Sequence, residues 1–521
     1  MRDQEFPLLA NGNHNMDQEK LEPPRTRLGA LWRRLPSSPA VRNALSATVE
    51  FLKPEFLQRK KAAAPRKGNT AWLDGLRGGA ALTVCIMHLT VYTHTDMELC
   101  YGDRLPNGQL NTSPAALPIL RIPFTGGHYS VMLFFVISGY VVPRRLITLL
   151  HEGRKDDFVE AVCSAIVRRP GRLFIPVALS TLFLAVVMGH IIALPVPFPF
   201  YKSNIVWELY NWFGDMCLFL FYHRFQLLFT WYNFHTWTIP VELRGSLWLF
   251  VWLFATHQMA TRSRVLLTCA KLFYLVFWTP GGWYSCFFCG MLTSELDLLA
   301  ESGQVRLPWD GLRNFFIRRP RLRMFVLHLT LLIGLYLACQ PSSDGKPREE
   351  LLGECYGWKT LNRLIPGSYK DGPPNNTHYR WYYLIWAAWF TVVGVKEIPW
   401  VRWIFETNTA QYLGRHSFAL YLIHGPMIGI FSERVFYLTG VKSPIDLDSF
   451  VKFGHLYNKW HDAPWWPFPD GGYAGLEPNF LFCVALSIPL FLYVAELGTK
   501  AFDAPSIKTS NWMYRKMKEV R

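Results

Sequence analysis

Ten apolar stretches recur along the chain, separated by shorter polar segments. Each is close to the roughly 20 residues that a helix needs to cross the hydrocarbon core of a bilayer. The pattern therefore predicts an all-α integral membrane protein with about ten transmembrane helices. The predicted spans are residues 72–94, 128–146, 173–195, 237–257, 264–279, 283–299, 324–340, 380–398, 411–432 and 478–498.

One further apolar segment, residues 204–222, is interrupted by polar residues. Glu208, Asn211 and Asp215 break its hydrophobic run. Ionisable side chains are costly in contact with lipid. We predict an interfacial or re-entrant helix here, with a genuine span as the alternative.

The composition agrees with this pattern. Half of the residues are hydrophobic and only 18% are charged, whereas soluble domains have about 25% charged residues. The formal net charge is +16, but Lys and Arg lie mostly beside apolar segments, as the positive-inside rule predicts. No basic and aromatic face lies outside the spans, so we expect contact with a lipid bilayer and exclude nucleic-acid binding.

The distribution of charge predicts that both termini are cytosolic. The connections 147–172 and 300–323 and the C-terminal tail are rich in Arg and Lys, whereas the predicted outer loops hold the two Asn-x-Ser/Thr sequons, at Asn111 and Asn375. Because such sequons are glycosylated in lumenal loops, the two signals agree. We expect a multi-pass glycoprotein of an endomembrane (ER or Golgi) or of the plasma membrane.

The chain divides into three predicted regions. Residues 1–70 are polar and basic and lack the apolar core of a signal peptide, so they are predicted to form a largely disordered cytosolic tail. Within it, residues 47–57 are a candidate for a short amphipathic helix. Residues 71–500 form the predicted transmembrane domain, and residues 501–521 a cytosolic C-terminal tail.

The cysteines indicate no zinc site. The pair Cys286 and Cys289 has no second pair at zinc-ligand spacing, so we expect no bound metal. Cys100, Cys339 and Cys355 fall at or outside the outer surface. A disulfide among these three is possible, and the sequence does not choose the pair.

Two ionisable residues of the first span lie on one helical face. Arg77 and His88 are eleven residues apart, which is three turns plus about 20°, with a rise of roughly 16 Å. Arginine clamps phosphate, and an imidazole exchanges a proton near neutral pH. The pair suits a molecule with an anionic head and a long thin arm, as acyl-CoA is. The alternative is that Arg77 reaches lipid headgroups and His88 packs in the interior.

Further polar residues are predicted to line a cavity bordered by the face that carries Arg77 and His88. Glu242 in the fourth span has about the same depth as His88, so its carboxylate is predicted to orient the imidazole. Arg244 is a competing partner for Glu242, although two residues apart on a helix they point in different directions. His424 lies just past the middle of its span and is either a packing residue or part of the cavity.

A group of cations is predicted at the cytosolic mouth. These are Arg144 and Arg145 at the end of the second span, and Arg168, Arg169 and Arg172 at the start of the third. They serve either topology and headgroup contact or, together with Arg77, the binding of CoA phosphates.

Five blocks of the chain resemble the acyltransferase 3 family of membrane O-acyltransferases, especially its fungal branch. The likeness runs from about residue 70 to 500, and the blocks follow the family's order. They are residues 73–78 (LDGLRG) with His88, 134–140 (FFVISGY), 169–176 (RPGRLFIP), 237–242 (WTIPVE) and 413–424 (LGRHSFALYLIH).

The resemblance implies a ten-helix acyltransferase domain that uses an acyl-CoA thioester, with acetyl-CoA as the expected co-substrate and no permanently bound cofactor. It implies His88 and Glu242 as catalytic residues and Arg77 as a donor-site residue. Asp74 and Ser138 lie in the matching blocks and are further candidates for the cavity. Where many bacterial members have a glutamate-rich continuation, this chain has LRGS at residues 243–246. A hydroxyl of a small metabolite, as in secondary metabolism, or of a sugar is the expected acceptor.

Two functions are therefore carried forward. In the first, His88 deprotonates the acceptor hydroxyl or carries the acyl group itself during O-acetylation. In the second, a proton-coupled transporter or flippase uses the same buried ionisable residues.

Overall fold

The architecture was obtained as a computed structural model. It describes residues 39–57, 70–105, 108–192, 204–221, 228–280, 282–303, 305–341, 348–369, 378–441 and 465–519. Asn375 lies outside these residues. The chain divides into two units, residues 1–53 and 54–521.

The first unit contains one described helix, α1, Pro39–Leu52. It begins earlier than the amphipathic segment predicted at residues 47–57 and occupies part of the tail that was predicted to be disordered. Its exposed positions include Val49, Phe51 and Leu52.

The second unit is predominantly helical, and its described residues contain two isolated β-bridges and no strand. Its helices are α2 (Ala71–Thr93), α3 (Gly127–His151), α4 (Lys155–Phe183), α5 (Ile205–Phe219), α6 (Thr238–Thr256), α7 (Thr261–Phe273), α8 (Trp283–Ser302), α9 (Asp310–Ile317), α10 (Pro320–Leu337), α11 (Arg348–Glu354), α12 (Trp358–Asn362), α13 (Arg380–Glu397), α14 (Pro399–Phe405), α15 (Asn408–Met427), α16 (Glu433–Thr439), α17 (Pro478–Gly498) and α18 (Ala504–Glu519).

A helix lies on each of the ten predicted spans. Among the described residues, five helical segments are long and apolar enough to cross a membrane, or six if the bent pair α13 and α14 counts as one span. These five are Gly127–His151, Lys155–Ile191, Phe234–Thr256, Pro320–Leu337 and Pro478–Glu519. The described residues thus form a helical fold with five or six helices able to span a membrane, while the count of ten and the sides of the termini stay predictions.

Helix α2 is not among these five segments because its composition suits an interior position. It carries Asp74, Arg77 and His88, and most of its residues are buried by other helices. Its main packing partners are α15 and α3. A helix enclosed by protein can keep polar residues that lipid would exclude.

One predicted connection and the predicted C-terminal tail are largely helical. Helix α4 starts at Lys155, so most of the predicted connection 147–172 is a helical extension of the third span. Helix α18 occupies most of the predicted tail 501–521 and packs against α4. Arg168 donates to Asn511 across this contact at 3.1 Å. The third helix thus begins before its predicted span, and the last helical segment continues beyond its predicted span, because charged residues lower the hydropathy without breaking the helix.

Helix α5 explains the interrupted apolar segment 204–222. Its 15 residues are short for a span. Glu208 is fully buried and accepts a hydrogen bond from Tyr232. Asp215 accepts from the backbone N–H of Trp231 at 3.2 Å. The polar residues of α5 therefore hold the segment before α6 in place.

Predicted outer loops are joined by a disulfide between Cys100 and Cys355. Cys339 is free and buried. In the same region Asn111 is 3% exposed, and its Nδ2 is buried without a hydrogen-bond partner in the described part of the chain. A glycan on Asn111 would have to be attached before this loop packs.

Candidate active site

Three histidines from different parts of the chain meet in the interior. His88 comes from α2, His424 from α15, and His235 from the short turn Phe234–Trp237 that precedes α6. The ring centroids of His88 and His235 are 4.2 Å apart, those of His235 and His424 4.5 Å, and those of His88 and His424 5.0 Å. We call His88, His235 and His424 the histidine layer.

Local hydrogen bonds fix the turn that carries His235. The Asn233 side chain accepts from the backbone N–H of His235 at 3.2 Å and donates to the carbonyl of Leu422 at 2.7 Å. The Tyr421 hydroxyl donates to the carbonyl of His235 and accepts from Thr238. The turn is thereby attached to α15 on both sides of His235.

Gly425 makes room for the His235 ring. A Cβ at position 425 would overlap the ring at Nδ1. The residue following His424 must therefore be glycine for His235 to lie against α15.

Backbone carbonyls determine the protonation pattern of two of the rings. His88 Nδ1 lies 2.9 Å from the carbonyl of Val84, and His424 Nδ1 lies 2.6 Å from that of Tyr421. A carbonyl oxygen only accepts, so each Nδ1 donates and each neutral ring keeps its lone pair on Nε2. His424 Nε2 is buried and has no hydrogen-bond partner among the described residues. The arrangement leaves Nε2 of His88 free to accept a proton.

Arg77 is held by α15. Its Nε donates to Ser417 Oγ at 2.9 Å and its Nη2 to the carbonyl of Gly414 at 3.0 Å, and Asp74 lies 3.4 Å away. A Cβ on Gly78 would overlap the backbone of Gly414. Glycines at both positions let α2 and α15 approach closely enough for these bonds to form.

Glu242 pairs with a residue other than the one predicted. Its carboxylate accepts from Ser138 at 2.7 Å and forms an ion pair with Arg169. No described contact joins it to His88, which faces His235 and His424 instead. Glu242 lies seven positions after His235 of the histidine layer, and no described contact lets it orient His88, so its catalytic role stays a prediction.

Glu242 belongs to a second polar group. The charge of Arg77 also acts on Glu242. We call Arg77, Arg169, Glu242 and Ser417 the arginine layer. Arg169 Nε is buried there without a hydrogen-bond partner in the described residues. The layer therefore has a donor that a bound oxygen atom can satisfy.

The other predicted cations separate into two groups. Arg172 is exposed, and its charge acts on Asp503 together with that of Arg77. Arg144 instead donates to Tyr140 at 3.1 Å and lies 3.6 Å from Glu301, while Arg145 is exposed. Of the predicted mouth cations, Arg169 and Arg172 act on the same carboxylates as Arg77. Arg169 and Arg77 act on Glu242, and Arg172 and Arg77 act on Asp503.

No described contact pairs Arg244 with Glu242. It is 7% exposed, and its Nε donates to the carbonyl of Pro240 at 3.3 Å. The competing pair considered from the sequence is therefore not among the described ion pairs.

His235 is the residue that the sequence analysis missed. The fourth span was predicted to begin at residue 237, which left His235 in a loop. Its position seven residues before Glu242 could have identified it as a site candidate, because residues seven apart lie on nearly the same helical face.

The acyltransferase domain model Acyl_transf_3 matches residues 70–487. That range contains the histidine layer and the arginine layer. No solved structure matches the chain significantly.

Curated fungal proteins are similar to the chain over most of its length. The O-acetyltransferase PaAT-1 of Phomopsis amygdali is 29% identical over 527 residues, which cover 94% of this chain and 93% of that protein. The acyltransferase clz18 of Cochliobolus lunatus is 27% identical, covering 70% of this chain and 84% of its own. The acyltransferase R4 of a Phoma species is 25% identical, covering 75% and 89%.

Proposed function

Because the chain belongs to the acyltransferase 3 family and is an acyltransferase, we propose that it moves an acetyl group from acetyl-CoA to a hydroxyl of a small metabolite or sugar, with His88 as the general base. The observation that carries this proposal is the hydrogen bond from His88 Nδ1 to Val84. It places the lone pair on Nε2, the atom that must accept the hydroxyl proton.

The donor is proposed to bind along α2. Its phosphates lie at Arg77, Arg169 and Arg172, where Arg169 Nε lacks a partner in the described chain. The arm extends along α2 toward the histidine layer; Ala81 and Val84, which lie between Arg77 and His88 on this stripe, are buried by neighbouring helices and must be uncovered when the donor enters. Small and apolar side chains suit a thin arm, and roughly 16 Å of helix separates the two ends.

The proposed reaction is direct transfer. The acceptor oxygen attacks the thioester carbonyl carbon while its proton passes to His88 Nε2. The C–S bond then breaks, and the thiolate of CoA takes that proton from the imidazolium. The products are the ester and free CoA, and the base is regenerated.

The compartment is proposed to be an endomembrane or the plasma membrane, with the Cys100–Cys355 side facing an oxidising space. Disulfides persist in the ER lumen and outside the cell and are rare in the cytosol. Transfer to an acceptor on that side would fit a histidine layer that lies toward the outer ends of its helices.

The proposal is tested by following CoA release by the purified full-length protein. The protein is given acetyl-CoA and a panel of alcohols of graded size and polarity. His88→Gln is expected to lower turnover by about 10²–10⁴-fold, the usual contribution of a general base. His328→Gln is a matched control, since His328 Nδ1 also donates to a backbone carbonyl but the residue is exposed on α10.

Wild-type turnover in His88→Gln would contradict the role of His88. If neither protein released CoA or bound acetyl-CoA, the assignment of acetyl-CoA as the acyl donor would be wrong. Substrate flux across vesicles without CoA consumption would then favour the transporter alternative.

A further inference from the structure

We propose that the histidine layer binds one transition-metal ion, with Zn²⁺ as the representative, and that this form does not transfer acyl groups. One ring nitrogen from each of His88, His235 and His424 lies within 4.8 Å of those of the other two. Three imidazoles around Zn²⁺ at about 2.0–2.1 Å leave a fourth position open. Small ring movements bring the nitrogens to coordination distance.

The hydrogen bonds around the layer are those of metal ligands. A ligating histidine usually donates its other N–H to a carboxylate or a backbone carbonyl, which fixes the tautomer. His88 does so to Val84 and His424 to Tyr421. Their Nε2 atoms are therefore the ligand atoms. His424 Nε2 is buried with no partner in the described chain, so it has an unmet interaction that an ion would satisfy.

The ligand set selects the class of ion. Neutral imidazole suits Zn²⁺, Cu²⁺ and Ni²⁺, whereas Mg²⁺ and Ca²⁺ prefer oxygen ligands. No carboxylate makes a described contact with the histidine layer. His88 and His235 are only partly buried, so an ion can reach the layer through the space that they border.

Two other groups in the described chain have the spacing of metal ligands but are weaker candidates. In one, Cys100 and Cys355 are joined as a disulfide and present no thiolate. In the other, Glu55 pairs with Arg415 and His416, and Glu496 pairs with Lys500. The carboxylates there are already neutralised by cations.

A bound metal and catalysis exclude one another if His88 is the base, so the inhibitory part rests on the proposed function. The ion would use the Nε2 lone pair that accepts the hydroxyl proton. Binding itself requires only the three rings.

Binding is tested on full-length protein stripped with a chelator. Zn²⁺ is titrated in competition with a chromophoric chelator, and Co²⁺ is used to report ligand geometry by its visible absorption. We expect one ion per chain and the intense Co²⁺ bands of a four-coordinate site. His235→Gln and His424→Gln each remove a ligand and are expected to weaken Zn²⁺ binding by at least the roughly 10–100-fold that loss of a ligand's hydrogen-bonding partner costs. His416→Gln is the matched control for the Glu55 group and should leave binding unchanged.

Unchanged Zn²⁺ affinity in both histidine-layer variants, or no stoichiometric Zn²⁺ binding by wild-type protein, would overturn the metal site. A thermal shift on Zn²⁺ addition that is present in wild type and in His416→Gln but lost in the other variants supports it independently of activity. Monodisperse size-exclusion profiles show that each variant is folded.

The inhibitory part is tested by CoA release. Zn²⁺ should abolish turnover at concentrations that fill the site, and excess chelator should restore it. Loss of turnover on chelation, regained with Zn²⁺, would overturn inhibition. If Zn²⁺ binds through the layer and no CoA is released under any condition, the metal site stands and the proposed function fails.

Discussion

Removing the Glu242 side chain distinguishes a catalytic role of this residue from a structural one. The sequence suggested that Glu242 orients the catalytic histidine. The structure pairs its carboxylate with Arg169 and Ser138. We therefore expect Glu242→Met to act chiefly on stability, because it leaves the Arg169 guanidinium without its counter-charge.

The magnitude follows from the burial of the pair. Breaking a buried ion pair by removing one partner costs about 3–5 kcal/mol, whereas replacing both partners by apolar residues is often neutral or stabilising. The side chains of Glu242 and Arg169 are 14% and 17% exposed, so the lower end of that range applies. A 150–250-residue domain shifts by about 2–4 °C per kcal/mol, and longer chains by less. We expect the apparent Tm to fall by roughly 3–6 °C.

The assay is thermal unfolding in detergent for Glu242→Met, Arg169→Met and the double variant, with steady-state CoA release measured in parallel. The double variant should recover most of the lost Tm, which gives a positive coupling between the two sites. It should also raise KM for acetyl-CoA, because Arg169 is a proposed phosphate ligand, while kcat stays within about tenfold of wild type.

The opposite pattern would refute this reasoning. If Glu242→Met kept the wild-type Tm but lost kcat by about 10³-fold or more, and the double variant recovered neither stability nor turnover, Glu242 would be acting on the histidine layer.

Two further changes test other parts of the structure. Gly425→Ala should displace the His235 ring and lower kcat by about tenfold or more with little change in KM for acetyl-CoA. Gly214→Ala, whose added Cβ meets no atom within 4 Å, is the matched control. An unchanged kcat in Gly425→Ala would show that His235 does not contribute to turnover. Cys100→Ser should remove the bond to Cys355 and cost about 2–4 kcal/mol, seen as a lower apparent Tm that reductant no longer changes; an equal response of wild type and variant to reductant would contradict a structural role.

Much of the fold could be predicted because helical spans have a strong local signal. The last span, residues 478–498, coincides with α17. The spacing of Arg77 and His88 was also sufficient to place both on one face of α2, since residues eleven apart are close to an integral number of turns. These predictions needed only the periodicity of a single helix.

Contacts between helices could not be predicted in the same way. Similar depth suggested that Glu242 meets His88, but depth does not specify which face of a helix points inward or how the helix tilts. The turn carrying His235 extends the polar face of α6 beyond the predicted span and supplies the contact instead. The partner of Cys100 was equally open, because Cys355 is 255 residues away and nothing local distinguishes it from Cys339.

The two polar layers have a common basis in helical spacing. His235 and Glu242 are seven residues apart along one segment, and His424 and Ser417 are seven apart on α15. Since seven residues make nearly two turns, each segment presents one member of each layer on the same face.

On α2 the corresponding interval is one turn longer. His88 lies in the histidine layer, and Arg77, three turns away, bonds to Ser417 in the arginine layer. Ala81 and Val84 occupy the same stripe between them and are buried. A separation of this kind keeps the cations away from the imidazoles, whose neutral form is needed for proton transfer. It also defines the length that a donor must have for its anionic head and its thioester to reach both layers at once.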